Sequence, residues 1–135
     1  MNISLAEWDE HVAYRVSERA YLLYTEGHFR ESLTLFEGLL EMYPENLYYR
    51  DAVSALYLSL GNPVEAVRQA SILIDADSTY INAFLRRCEG HLLQGLFAEA
   101  ERDLQWLKQL GALVYARRME MRLGAARRAR PAQVK

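Results

Sequence analysis

Apolar residues recur at intervals of three and four positions through most of the chain, with charged residues between them. This spacing places them on one face of an α helix and differs from the every-second-residue alternation of a half-buried strand. Valine, isoleucine and threonine do not cluster into alternating runs, so the pattern predicts helices throughout. The apolar faces are clearest in three stretches: Leu33, Phe36, Leu39 and Leu40; Val67, Ala70, Leu73 and Ile74; Leu104 and Leu107.

A glycine-centred turn precedes each of these stretches, and the three turns are regularly spaced. Gly27, Gly61 and Gly95 are separated by 34 residues, and each is followed at the fourth and fifth positions by a glutamate and a small residue. Glycine commonly ends a helix because it adopts the left-handed conformation without a side-chain penalty. The period therefore predicts three helix–turn–helix repeats.

The repeat fixes the expected limits of the helices and of the larger units. The first helices of the three repeats are expected at 13–26, 47–60 and 81–94, and the second helices at 29–42, 63–75 and 97–109. A seventh helix is expected at about 112–126, where an apolar stripe would cover the open face of the third repeat. The predicted organisation is a lead-in over 1–12, repeats over 13–46, 47–80 and 81–114, a capping helix over 115–126 and a basic flexible tail over 127–135.

Composition and charge narrow the functional classes. The 135 residues are 51% hydrophobic and 25% charged, which is typical of one globular domain, and no apolar run approaches the roughly 18 residues of a membrane span. Residues 1–114 hold 17 acidic and 9 basic side chains, whereas residues 115–135 hold 7 basic and 1 acidic. The acidic body makes nucleic-acid binding by the repeats an unfavourable interpretation. The first residues lack the basic and apolar pattern of a secretory signal, so a cytoplasmic protein is expected.

Residues that could carry catalysis or bind a metal are few and scattered. His11, His28 and His91 lie far apart, and none has a cysteine or acid at the sequence spacing of a metal site. Cys88 is the only cysteine, which excludes an intramolecular disulfide, and we expect it to be a buried packing residue. We therefore expect no catalytic residue, no metal and no cofactor, and interpret the chain as a binding protein and not an enzyme.

The 34-residue unit resembles the tetratricopeptide repeat (TPR) family. When each unit is counted from residues 13, 47 and 81, the family's small residues fall on Ala20, Ser54 and Cys88 at the eighth place and on Ser32, Ala66 and Ala100 at the twentieth. Pro44 occupies the family's proline place in the first unit only. The resemblance covers residues 13–114 and implies an all-α, right-handed superhelical stack. The whole chain is similar to the small three-repeat TPR chaperones of bacterial type III secretion, which hold a secretion component in a concave groove.

The resemblance also implies which residues line that groove, because the first helix of each TPR unit faces the partner. The residues at these places are Tyr14, Ser17, Tyr21, Tyr24, Tyr48, Asp51, Ala55, Leu58, Asn82, Leu85, Arg86, Glu89 and Leu92. Some TPR proteins bind a peptide's terminal carboxylate with a clamp of lysine, asparagine and arginine. Here Ser17, Tyr21, Ala52 and Asn82 stand at the lysine and asparagine places, and only Arg86 matches. The tyrosines and leucines instead predict an apolar or aromatic segment as the ligand.

These observations favour a dedicated cytosolic chaperone that binds a protein or peptide client, expected to be a type III secretion component held in a heterodimer. Two alternatives stay open. One is a generic assembly scaffold or homodimeric TPR adaptor. The other is nucleic-acid binding through the basic tail around Arg127 and Arg128, although no aromatic residue lies among the basic residues after Tyr115.

Overall fold

The computed structural model of the protein describes residues 10–129, which form seven α helices and no strand. The helices are α1 (Glu10–Thr25), α2 (Phe29–Met42), α3 (Leu47–Ser59), α4 (Pro63–Ala76), α5 (Ile81–Leu93), α6 (Phe97–Gln109) and α7 (Leu113–Ala129). Each helix packs against the next one along the chain, and both α3 and α7 also contact α5. The predicted stack of helix pairs is confirmed. Within residues 10–129 no helix is long and apolar enough to cross a membrane.

The expected helix limits differ most from the observed ones at the two ends of the stack. α1 already includes residues 10–12, ahead of its expected start at residue 13. α7 continues to Ala129, so residues 127–129 are helical and do not belong to a flexible tail. Alanine is a strong helix former, and Arg127 and Arg128 suit the negative end of the dipole. The remainder of the predicted lead-in and tail, residues 1–9 and 130–135, lies outside the described residues.

Each repeat turns at a glycine in the left-handed conformation, as the sequence predicts. The three glycines have φ values between 73° and 83°. At the second turn the Asn62 N–H donates to the Tyr57 carbonyl at 2.8 Å, and the Gly61 N–H donates to the Leu58 carbonyl at 3.1 Å. These two bonds form a Schellman motif, and the other two turns have the same pair. The helix pairs therefore turn with equivalent geometry.

The two helices of each repeat meet where the small eighth and twentieth residues face each other. Ser54 and Ala66 are both 0% exposed, and the Ser54 hydroxyl donates to the Ala66 carbonyl at 2.8 Å. The equivalent bonds run from Ser32 to the Ala20 carbonyl at 2.7 Å and from Cys88 to the Ala100 carbonyl at 3.5 Å. A side chain reaches a backbone carbonyl of the facing helix only when the helices are close, so small residues are required here.

Two apolar clusters fill the space between neighbouring repeats. One joins the first repeat to α3 and includes Phe36, Leu39, Val53 and Leu56. The other joins the third repeat to α7 and includes Phe84, Leu85, Leu104, Leu107, Met119 and Leu123. α7 thus covers the apolar face of the third repeat, which would otherwise be exposed to water.

The two methionines of α7 offer a test of this covering role. Met119 is 1% exposed, whereas Met121 is 67% exposed on the same helix. We expect Met119→Ala to lower the free energy of unfolding by about 2–4 kcal/mol, because it leaves a cavity between α7 and the third repeat. Met121→Ala, the matched control, should change it by less than about 0.5 kcal/mol. Similar urea denaturation midpoints for the two variants would contradict the packing of α7.

At Gly90, α5 lies close to α4. A Cβ atom there would lie 2.5 Å from Cγ2 of Val67 and 3.2 Å from the carbonyl oxygen of Pro63. We expect Gly90→Ala to cost about 1–3 kcal/mol of stability, because the helices must separate to admit the methyl group. Gly38 of α2 has no atom within 4 Å of its added Cβ. Gly38→Ala should therefore stabilise the fold by up to about 1 kcal/mol. Thermal melts of both variants measure the contrast, and a neutral Gly90→Ala would rule out the close approach.

Candidate partner-binding groove

A groove runs along α1, α3 and α5, the first helices of the three repeats. Its central pocket has a volume of about 120 Å³ and is lined mainly by aromatic and small apolar side chains. The lining residues are Tyr21, Tyr24, Phe36, Tyr48, Asp51, Ala52, Ala55, Leu56 and Arg86. This volume is well below that of a pocket for a drug-sized molecule, and it suits one or two side chains of a peptide.

Two further pockets adjoin the central one. The α1 pocket, of about 510 Å³, is lined by Tyr14, Ser17, Glu18, Tyr21, Asn46, Tyr48 and Tyr49. The α5 pocket, of about 230 Å³, is lined by Tyr24, Ala55, Leu58, Ser59, Arg86, Glu89 and Leu93. Both share side chains with the central pocket, so the three form one continuous surface, which we call the groove.

Three tyrosines present their rings to solvent in the groove. Tyr14, Tyr21 and Tyr48 are 61%, 57% and 49% exposed. Tyr48 packs edge-on against Phe36 with ring centroids 6.0 Å apart, which holds its ring in place. Partial burial, followed by the nearby Tyr21 and Asp51, raises the pKa of Tyr48 above its usual value. Its hydroxyl therefore remains a hydrogen-bond donor at neutral pH.

Asp51 of α3 lies in the wall of the central pocket and joins the second repeat to the third. Its carboxylate accepts hydrogen bonds from Arg86 Nε at 3.1 Å, from Asn82 Nδ2 at 3.2 Å and from the Tyr80 hydroxyl at 3.5 Å. Asp51 is only 6% exposed, and these donors replace the hydrogen bonds to water that a buried carboxylate loses. Burial and Asp51 raise the pKa of Tyr80 to about 12. Arg86 is thus engaged within the protein and is not a free cation for a ligand carboxylate.

Most of the residues predicted for the groove come together in these pockets. The three pockets include Tyr14, Ser17, Tyr21, Tyr24, Tyr48, Asp51, Ala55, Leu58, Arg86 and Glu89. Asn82 lies beside them through its bond to Asp51. Ser17 lines the α1 pocket but is buried, with its hydroxyl bonded to the Tyr14 carbonyl at 2.7 Å. Its role in binding, like that of the other lining residues, stays a prediction.

Two residues predicted for the groove, Leu85 and Leu92, pack into an apolar cluster instead. Leu85 is 7% exposed and belongs to the apolar cluster that joins the third repeat to α7, and Leu92 is partly buried against the same cluster. These residues were assigned to the groove from their places in the repeat, which assumes that this face of α5 is exposed. In the structure α7 packs against α5. Replacing Leu85 would therefore disturb the core, so it does not serve as a test of ligand binding.

The floor of the central pocket was not predicted from the sequence. Phe36 was assigned to an apolar helix face and Leu56 was not singled out, yet both line this pocket. They are reached because Ala52 and Ala55 of α3, which line the same pocket, have small side chains. The sequence signal for a pocket was the pair of alanines, three positions apart, on the face of α3 that also carries Tyr48 and Asp51.

A second buried carboxylate, Asp103 of α6, supports the third repeat. It is 1% exposed and lies 2.8 Å from Arg87 Nη2 and 2.9 Å from His91 Nδ1. His91 thus has an acidic partner on a neighbouring helix, which sequence spacing alone does not reveal. Cys88 is 1% exposed, as expected, and burial raises its pKa to about 12, so the thiol is unreactive at neutral pH. No group of three potential metal ligands occurs within residues 10–129.

The pairing of Asp51 with Arg86 can be tested by a double-mutant cycle. Arg86→Ala is expected to cost about 2–4 kcal/mol of unfolding free energy, because it leaves the buried carboxylate without its cation. Adding Asp51→Ala should recover part of this loss and give a coupling energy of about 1–3 kcal/mol. Arg68, which pairs with Glu65 on the exposed face of α4, provides the control, and Arg68→Ala should change the stability far less than Arg86→Ala does. Additive effects of the Asp51 and Arg86 substitutions in urea denaturation would rule out the pairing.

The sequence is similar to part of a known repeat protein. It is 28% identical over 89 residues to a TPR repeat-containing thioredoxin of Arabidopsis thaliana. The match covers 66% of this chain but only 13% of the length of that protein. No protein-family model matches the chain.

Solved TPR structures superpose closely on the fold. The first TPR domain of Spaghetti (RPAP3), bound to the HSP90 peptide SRMEEVD, has a TM-score of 0.80 at 16% identity and covers 90% of this chain and 97% of that one. PcrH of Pseudomonas aeruginosa, in complex with the chaperone-binding region of PopD, has a TM-score of 0.80 at 20% identity over 88% and 93% of the two chains. SycD of Yersinia enterocolitica, a type III secretion chaperone in complex with a peptide of the translocator YopD, has a TM-score of 0.80 at 18% identity over 88% and 95%. The chain therefore has the TPR fold that its repeat predicts.

Proposed function

We propose that this TPR-fold chain is a dedicated cytosolic chaperone that holds an apolar or aromatic segment of a type III secretion component in its groove, as a heterodimer. The observation that carries the proposal is the set of exposed rings of Tyr14, Tyr21 and Tyr48, which continues into the small apolar central pocket. Clustered aromatic surface of this kind is typical of a binding site and supplies the anchors of many interfaces. The role is one of binding, without catalysis.

The chemistry of the groove suits a peptide segment. An apolar side chain of the ligand would enter the central pocket and pack against Phe36 and Leu56, and the flanking tyrosine rings would cover its neighbours. Tyrosine hydroxyls and Ser59 supply hydrogen bonds to the ligand backbone, which fix its position along the groove. Apolar burial would therefore provide most of the affinity, and the polar groups would fix the position of the ligand along the groove.

The same residues make recognition of an acidic peptide terminus unfavourable. Ser17, Tyr21, Ala52 and Asn82 provide no positive charge, and Arg86 already binds Asp51 at 3.1 Å. A carboxylate in this groove would be desolvated without a free cation to compensate it. This favours a client like the segments of PopD and YopD that PcrH and SycD bind over one like the HSP90 peptide bound by RPAP3.

The two alternatives receive weaker support. On α7, Arg122 lies 3.6 Å from Glu89 and Arg127 lies 3.8 Å from Glu101, so two of its arginines are paired within the protein. This reduces the positive charge that nucleic-acid binding would need. A homodimeric scaffold is the remaining alternative, and dimers have been seen for SycD.

Binding of defined peptides tests the proposal. Fluorescence anisotropy should detect binding of the PopD chaperone-binding region or the YopD peptide, and no binding of SRMEEVD. Tyr21→Ala should weaken the binding of the PopD and YopD segments about tenfold or more, since truncation of an aromatic anchor often costs about 2 kcal/mol of binding free energy. Tyr115→Ala is the matched control, because Tyr115 is 39% exposed on α7 and lies outside the groove. Its binding constant should equal that of the unchanged protein.

Other outcomes would overturn the proposal. Dissociation constants above about 100 µM for both the PopD and the YopD segment would rule out the secretion-chaperone role. Loss of binding in Arg128→Glu, with Tyr21→Ala unaffected, would support docking through the basic end of α7 instead. Arg128 is preferable to Arg127 for this purpose, because Arg127 also contacts Glu101 and the ring of Phe97. Light scattering of the free protein and of the complex separates a heterodimer from a homodimeric scaffold.

A further inference from the structure

The α1 pocket combines three exposed tyrosine rings with a carboxylate that has no ion-pair partner among residues 10–129. The rings are those of Tyr14, Tyr21 and Tyr48, and the carboxylate belongs to Glu18. We propose that this pocket takes a positively charged side chain, lysine or arginine, of the bound segment. The inference rests on the proposed function, because it assigns a chemical class to one part of the ligand that the groove holds.

The charges that line the groove are mostly negative, and only one of them is available to a ligand. Glu18, Asp51 and Glu89 are carboxylates, whereas Arg86 is the only cation among the lining residues of the three pockets. Asp51 binds Arg86 at 3.1 Å, and Glu89 lies 3.6 Å from Arg122 of α7. Both of these acids are therefore compensated within the protein, whereas Glu18 has no such partner in the part of the chain that the structure describes.

The basic residues closest to Glu18 along the chain face elsewhere. Arg15 and Arg19 belong to the same helix but line a separate pocket around Val16, on a different side of α1. Residues three positions apart on a helix can form ion pairs, but Arg15 and Glu18 do not form one here. The carboxylate is thus open to a cation from outside the protein.

The tyrosine rings favour a cation in the same place. The face of an aromatic ring is negative, and it attracts an ammonium or guanidinium group that lies within about 6 Å of the ring centroid. Ring faces and the Glu18 carboxylate therefore act on a cation in the same direction.

The expected effect on affinity is moderate, because the pocket is exposed. An exposed ion pair and an exposed cation–ring contact each contribute little, and together they should improve the dissociation constant about five- to tenfold. The ion-pair part should weaken at high salt, because solvent ions screen exposed charges. Apolar contacts in the central pocket do not share this salt dependence.

The inference can be tested with a matched set of peptides and the full-length chain. The probes are fluorescein-labelled nonapeptides with an apolar core of leucine and valine, capped at both ends, in which one residue at either end of the core is lysine, glutamine or glutamate. Lysine peptides should bind about five- to tenfold more tightly than glutamine peptides, and glutamate peptides more weakly than both. Glu18→Gln should reduce the preference for lysine to about twofold, which is the share left to the rings. Glu41→Gln on the exposed face of α2 is the control and should leave the preference unchanged.

Two contrary outcomes have different meanings. If the three peptide types bind equally and remain sensitive to Tyr21→Ala, the groove binds apolar segments but the α1 pocket is not a cation site. The further inference would then be wrong, and the proposed function would stand. If no peptide binds in a manner sensitive to Tyr21→Ala, the groove is not a peptide site, and both proposals fail. A lysine preference that Glu18→Gln does not change would also overturn the assignment to this pocket.

Discussion

The close contact between the eighth and twentieth places of each repeat is the constraint on which the rest of the structure depends. A hydroxyl or thiol on one helix reaches a backbone carbonyl of the other, as between Ser54 and Ala66 at 2.8 Å. Such a bond restricts both the separation and the relative rotation of the helices, which apolar packing alone leaves less defined. The donor lies on the first helix in two repeats and on the second in the other, where Ser32 bonds to Ala20. The geometry is therefore conserved between repeats although the side chain that provides the bond is not.

Equivalent helix pairs, joined by equivalent glycine turns, place α1, α3 and α5 along one surface. Their exposed faces then determine what the surface can bind. On α1 and α3 these faces present tyrosine rings, while Ala52 and Ala55 leave room for the central pocket above Phe36. The fold thus supplies the alignment of the helices, and a few side-chain sizes supply the shape of the groove. Tyr21 is 57% exposed, so its replacement should leave the core intact, whereas Asp51 and Arg86 line the groove and also join the second repeat to the third.

The fold could be predicted from the sequence because its determinants are local and repeated. A glycine every 34 residues, a small residue five positions later and an apolar face at helical spacing were enough to place all seven helices. The errors concern contacts between elements distant in sequence. Leu85 was assigned to the groove by its place in the repeat, because the sequence indicates that a last helix covers the third repeat but not which side chains of α5 it buries. The bond between Asp51 and Arg86 and the bond between Asp103 and His91 likewise join different helices, and helix spacing gives no information about them.

The buried Asp51 connects the stability of the stack with the selectivity of the groove. A carboxylate at this depth loses hydration, and a pair with Arg86 does not by itself make the fold more stable than apolar residues would. The consequence of this pair is that the positive charge of Arg86 is compensated and is not available to a ligand. Arg86 occupies the one place where this chain keeps the cation of a carboxylate clamp, and Asp51 compensates it from within the protein. Under the proposed function the central pocket is left to apolar side chains, and Glu18 is the carboxylate of the α1 pocket that has no ion-pair partner among residues 10–129. A groove of the same fold can in this way select against acidic peptides without any change in its backbone.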